Sequence, residues 1–268
     1  MAARLVRIDG HRLECRRFGP PPNAAPTLVF LHEGLGSASQ WRDFPEALSL
    51  RTDCGGLVYS RLGYGQSDPV EGPRSVRFMH EEASRVLPQV LERFDIGRYF
   101  VVGHSDGGSI AIVHAAAATP ALAGLILEAP HTFVEDLTIE SIREARERWT
   151  TTDLRQKLAR HHAHVDSMFE SWTDVWLRPE FRDWSIREYL RPIRCPALVL
   201  QGEDDEYGTV KQVDVIEAEI GGECEAVILP ACGHAPHVDQ RAIVEDAMAR
   251  FVRHALVSRG NRGQGENG

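Results

Sequence analysis

The chain runs to 268 residues, 43% of them apolar and 26% charged, with a formal charge of -9. That length suits one large domain, or a core carrying an insertion, and the composition excludes a disordered or fibrous chain. No basic pair grows into a patch, so the acidic balance excludes nucleic acid and leaves a small organic ligand as the expected partner.

From the N-terminus, Arg4 and Arg7 interrupt the first apolar stretch, and no later run approaches membrane-spanning length. The expectation is a cytoplasmic protein with no membrane partner. Residues 4–18 alternate around Asp9-Gly10, the signal of a two-residue hairpin between antiparallel strands. After a proline-rich loop at 20–22 one unit recurs: a short apolar run, a Gly or polar cluster, then a helical pattern. Strands are predicted at 27–32, 56–60, 99–103, 123–128, 197–202 and 225–230, and helices at 39–50, 78–94, 105–118, 210–220 and 236–257. Together with the hairpin this is an α/β chain, a mostly parallel eight-stranded sheet with helices on both faces.

Residues 131–195 break the rhythm with helical patterns and no strand, a stretch too long for a crossover. They carry Trp149, Trp172, Trp176 and Trp184 with His161, His162 and His164. We read them as a helical cap over the C-terminal edge of the sheet, where open α/β sheets bind ligands. The core is then 1–130 and 196–258, and the Gly- and Asn-rich tail at 259–268 is expected to be disordered. The five cysteines, Cys15, Cys54, Cys195, Cys224 and Cys232, show neither a C-x-x-C pair nor zinc-ligand spacing. No metal or cofactor is expected.

The segment Gly103-His104-Ser105-Asp106-Gly107 joins an apolar strand to a helix. That context gives a G-x-S-x-G pentapeptide its weight, because so tight a turn strains the serine backbone and presents its hydroxyl at a helix N-terminus. A serine hydroxyl needs a base and an orienting carboxylate. His234, on a Gly-flanked loop before the last helix, is the candidate base; its rival His237 follows Pro236 and suits a supporting place. The carboxylate falls in Glu203-Asp204-Asp205-Glu206, after the strand at 197–202, with Asp205 preferred, Asp204 its neighbour and Glu128 a further rival. Two N–H donors for an oxyanion are expected from Asp106 and from the loop His32-Glu33-Gly34, with Gly34 the better placed. Glu33, His104, Trp149, Trp172 and Trp176 are the substrate-pocket candidates.

These motifs, with Arg61-Leu62-Gly63-Tyr64-Gly65-Gln66-Ser67-Asp68 between them, follow one another in the order seen in the cap-bearing α/β-hydrolase superfamily, which the chain resembles over nearly its whole length. The resemblance implies the serine hydrolase or esterase branch and an acid three residues after a strand-terminal Gly, hence Asp205. Three departures stand out: Glu33 replaces the usual Gly, Ser60 replaces the acid that often precedes G-x-G-x-S, and Ala235 replaces the Trp that follows the catalytic His in carbon–carbon hydrolases. The expected activity is cleavage of a small to medium ester, lactone or thioester through an acyl-enzyme. Alternatives are a carbon–carbon hydrolase, a cofactor-free lyase or oxygenase, and a slow-turnover ligand receptor. A homodimer is compatible with the sequence.

Overall fold

In the computed structural model, which describes residues 3–262, eight strands form one sheet. They are β1 (Arg4–Ile8), β2 (His11–Phe18), β3 (Thr27–Leu31), β4 (Gly55–Tyr59), β5 (Tyr99–His104), β6 (Leu122–Glu128), β7 (Ala197–Gly202) and β8 (Cys224–Leu229). Their order is β1-β2-β4-β3-β5-β6-β7-β8. Only β2 runs antiparallel to its neighbours, β1 and β4. The Asp9-Gly10 turn closes the first hairpin with both residues at positive φ.

The helices are α1 (Phe44–Thr52), α2 (Phe78–Glu81), α3 (Leu87–Arg93), α4 (Asp106–Ala115), α5 (Asp136–Thr151), α6 (Leu154–Leu158), α7 (Val165–Trp176), α8 (Lys211–Glu219), α9 (Pro236–Asp239) and α10 (Arg241–Arg262). The unbroken apolar strands follow from burial on both faces. In β3, Val29 and Leu31 join one core with α4, while Leu28 and Phe30 join the other with α1 and α10. Strand period two sends alternate residues to opposite layers.

Several boundaries differ from the sequence reading. The helix expected at 39–50 starts at Phe44, because 37–43 are taken up by successive turns and Arg42 sits at φ 53°. The helix expected at 78–94 is interrupted by a π-helical turn at Glu82–Val86. The last helix is broken between α9 and α10 at Gln240. The disordered tail expected over 259–268 is not borne out at 259–262, where α10 continues to Arg262, and 263–268 lie outside the described residues. No described helix is long and apolar enough to cross a membrane.

Between β6 and β7 the chain forms α5, α6, α7 and two 3-10 turns. This insertion builds a small core of its own, Ala145, Leu158, Val165, Met168 and Phe169, seated on Tyr64 from the main body. It is also tied down by hydrogen bonds, from the Ala163 N–H to the Gly65 carbonyl at 2.8 Å and from the Gly65 N–H to His162 Nδ1 at 3.0 Å.

The loop carrying Gly65 lacks its customary acid at Ser60, and Glu14 of β2 supplies the carboxylate instead. Glu14 Oε2 accepts Ser60 Oγ–H at 2.7 Å and the Gln66 N–H at 3.1 Å. Ser60 Oγ in turn accepts the Ala38 N–H at 2.9 Å. Replacing Glu14 by Ala leaves the buried Ser60 hydroxyl and the Gln66 N–H unpaired, so urea unfolding should show a loss of about 1.5–3 kcal/mol, the range expected for a hydrogen bond to a charged group. Adding Ser60→Asp to Glu14→Ala should recover part of that loss.

Candidate active site

Ser105 lies between β5 and α4 at φ 52° and ψ -117°, a strained conformation for a residue with a side chain. The turn persists because its surroundings fix it. The Ser105 N–H donates to the Glu128 carbonyl at the end of β6, at 2.9 Å. A Cβ on Gly107 would stand 2.1 Å from the Leu31 carbonyl oxygen, so only glycine lets the first turn of α4 close onto β3.

His234 Nε2 accepts the Ser105 hydroxyl at 2.9 Å. Its Nδ1–H donates to Asp205, 2.8 Å from Oδ1 and 2.9 Å from Oδ2, which fixes the tautomer that leaves Nε2 free to accept. Asp205 is buried after β7 and also accepts Gln201 Nε2 at 2.7 Å and the N–H groups of Tyr207 and Gly208 at 2.7 and 3.1 Å. Burial alone would raise its carboxyl, but the His234 hydrogen bond and these donors outweigh it and hold it at about 2. The alternatives lie elsewhere: Asp204 is exposed, and Glu128 instead accepts His237 Nδ1 at 2.6 Å. The loop bearing His234 is held by Asp239, which accepts the Gly233 N–H at 2.9 Å, and by Glu206, which accepts the His234 N–H at 3.2 Å.

A cavity of about 350 Å³ opens above Ser105. Of the sequence candidates, Glu33, Gly34, His104, Asp106, Trp172 and Trp176 line it. Trp149 does not; its ring stacks on Phe169 at 3.9 Å and belongs to the small core of the insertion. Gly34 meets the Trp172 indole so closely that a Cβ would lie 2.1 Å from Nε1. Asp106 opens α4, where backbone N–H groups have no acceptor within the helix. Cys232 is no candidate thiolate, since burial, with nearby carboxylates, pushes its thiol up to about 11.

Three cavity neighbours escape a reading of sequence alone. His131 is buried beside His234, with ring centroids 5.8 Å apart, and burial pushes it down to about 4. Tyr207 faces His234 at 4.8 Å. Both follow the C-terminal ends of parallel strands, β6 and β7, which is the signal that could have found them. Arg61 is fully buried under the loop after β3 and donates to the His32 carbonyl and, at 3.1 Å, to the Glu33 carbonyl.

His104, next to the serine, donates from Nε2 to the His234 carbonyl at 2.6 Å while its Nδ1 faces Glu33 Oε2 at 3.6 Å. Burial alone would lower this imidazole, but the Glu33 carboxylate outweighs it and raises it to about 9, and Glu33 is held below the ordinary carboxyl range by the same pairing. A group raised from 6.5 to about 9 contributes stability that is complete below 6.5 and is lost as pH climbs through 9. The melting temperature should therefore fall between these values, and Glu33→Gln should start lower at pH 6.5 and show a flatter decline.

The family described as "Alpha/beta hydrolase family" matches residues 28–247. A 2-succinyl-6-hydroxy-2,4-cyclohexadiene-1-carboxylate synthase of Salmonella agona is 25% identical over 260 residues, which cover 87% of this chain and 96% of the relative. Among solved structures, the proline iminopeptidase of Mycobacterium smegmatis superposes with a TM-score of 0.72 at 20% identity, covering 96% of this chain and all of the other. A thermophilic esterase from Thermogutta terrifontis gives 0.71 at 19% identity, covering 95% and 99%. The superpositions concern the fold.

Proposed function

The chain belongs to the alpha/beta hydrolase family, and within it we propose a serine hydrolase that cleaves a small to medium carboxylic ester, lactone or thioester through an acyl-enzyme. The observation that carries this reading is the hydrogen-bonded chain from Ser105 through His234 to Asp205, set on a strained elbow under a cavity. Ser105 Oγ attacks the acyl carbon as its proton passes to His234 Nε2, and Asp205 stabilises the imidazolium. The N–H groups of Gly34 and Asp106 receive the oxyanion, each such donor being worth roughly 10² to 10³ in rate. His234 then protonates the leaving alkoxide and later activates the water that frees the acid. The helical insertion acts as the cap that limits water and sets substrate size.

Similarity to the synthase favours a second reading, a reaction on a carboxylate-bearing ring. Against it, the cavity presents Glu33, Asp106, Glu206 and Asp239 and no Lys or Arg among its described lining residues. With Glu33 matched by the His104 imidazolium, the other three carboxylates still disfavour carboxylate substrates.

Short p-nitrophenyl esters should be turned over, and a fluorophosphonate should label Ser105. Ser105→Ala should abolish labelling and lower kcat by at least about 10³, and Asp205→Asn should lower it by on the order of 10³ to 10⁴ through loss of the correct tautomer. Turnover that survives Ser105→Ala would overturn the reading. Stoichiometric acylation without steady turnover would instead mark a receptor.

A further inference from the structure

Asp106, one residue past Ser105, is only 1% exposed. Its Oδ2 has no hydrogen-bond partner, and the single cation within 4 Å among the described residues, Arg61, stands 3.8 Å away. That is too long for a hydrogen bond, and the Arg61 guanidinium is committed to the carbonyls of His32 and Glu33. The Trp176 indole and the charges of Arg61 and Arg74 act on this carboxylate, but none of them gives Oδ2 a hydrogen bond. A buried carboxylate oxygen left without a donor is costly, so one kept beside a nucleophile calls for a donor that arrives with the ligand. Burial raises its carboxyl above the ordinary range, and an incoming cation would draw it back.

The rest of the cavity agrees. Glu206 and Asp239 add negative charge while Glu33 is matched by His104, the described lining holds no Lys or Arg, and Trp172 and Trp176 contribute aromatic rings, which attract cations. Consecutive Cα atoms are about 3.8 Å apart, so a carboxylate on the residue after the nucleophile reaches a charge close to the carbon under attack, and not one at the far end of an acyl chain.

The geometry points to esters whose acyl group carries a free ammonium beside the ester carbonyl, α-amino acyl esters, with Asp106 as the group that binds the ammonium. This rests on the serine hydrolase reading above. The bond from Ser105 Oγ to the acyl carbon forms as the serine proton moves to His234. The bond to the alkoxy oxygen breaks and that oxygen takes the proton, and water then cleaves the Oγ–acyl bond to release the amino acid.

The test compares the benzyl esters of L-phenylalanine and 3-phenylpropanoic acid, which differ only by the amine, as a ratio of kcat/KM within each protein. Wild type should favour the amino ester, N-acetylphenylalanine benzyl ester should behave like the amine-free one, and Asp106→Asn should lower the ratio roughly 10- to 100-fold, as expected for a lost charged hydrogen bond. A ratio that Asp106→Asn leaves unchanged overturns the ammonium site while the serine hydrolase reading stands. Labelling of Ser105 by a fluorophosphonate without cleavage of the amino ester overturns it as well. Absence of both labelling and cleavage removes the underlying reading. Should Asp106→Asn fail to fold, inhibition of wild type decides: L-phenylalanine amide should inhibit at least about 10-fold more tightly than 3-phenylpropanamide, and equal inhibition counts against the site.

Discussion

The approach of α4 to the end of β3 is the constraint on which the site depends. With no side chain at Gly107, the first turn of the helix closes onto the Leu31 carbonyl, and the chain has to reverse at Ser105 with a left-handed φ. Strain of this kind costs on the order of 1–3 kcal/mol and survives only where its surroundings over-determine it. Here they do, through the Glu128 carbonyl on one side and the paired strands β3 and β5 on the other. The serine is presented by tertiary structure, not by local preference.

Around that elbow stand two carboxylate–imidazole pairs besides His234 and Asp205, one fully buried and one with a half-buried carboxylate. Glu33 faces His104, and Glu128 binds His237. Each ties together elements distant in sequence: the loop after β3 to the end of β5, and the end of β6 to α9. Through the His104 bond to the His234 carbonyl, the first pair also bears on the loop that carries His234. Buried charges of this sort contribute little net stability over apolar packing but are severe to break one at a time, so they fix geometry more than they add to folding free energy.

The fold was legible because a doubly covered parallel sheet imposes continuous apolar strands, and runs such as 99–103 and 197–202 show it without ambiguity. Ser105, His234 and Asp205 were legible for a related reason, since each sits at the end of a strand or on the loop after one. What could not be read depends on partners far apart in the chain. Nothing near Ser60 announces that Glu14 completes its loop, and nothing near Trp149 separates a ring that stacks on Phe169 from one that lines a cavity, as Trp172 does. Helix ends at 43 and 240 were set by turns and packing that periodicity does not register.

The exchange of a carboxylate between loop and strand has a consequence for descent. In this chain, positions 14 and 60 share one function, with the acid on β2 and the hydroxyl on the loop, 46 positions apart. A lineage cannot pass from an acid at 60 to this arrangement by changing the loop alone, because the buried amides would lose their acceptor in between. The acid at 14 has to come first or together with Ser60. The N-terminal hairpin is thereby inherited as a unit with the loop on which the helical insertion rests.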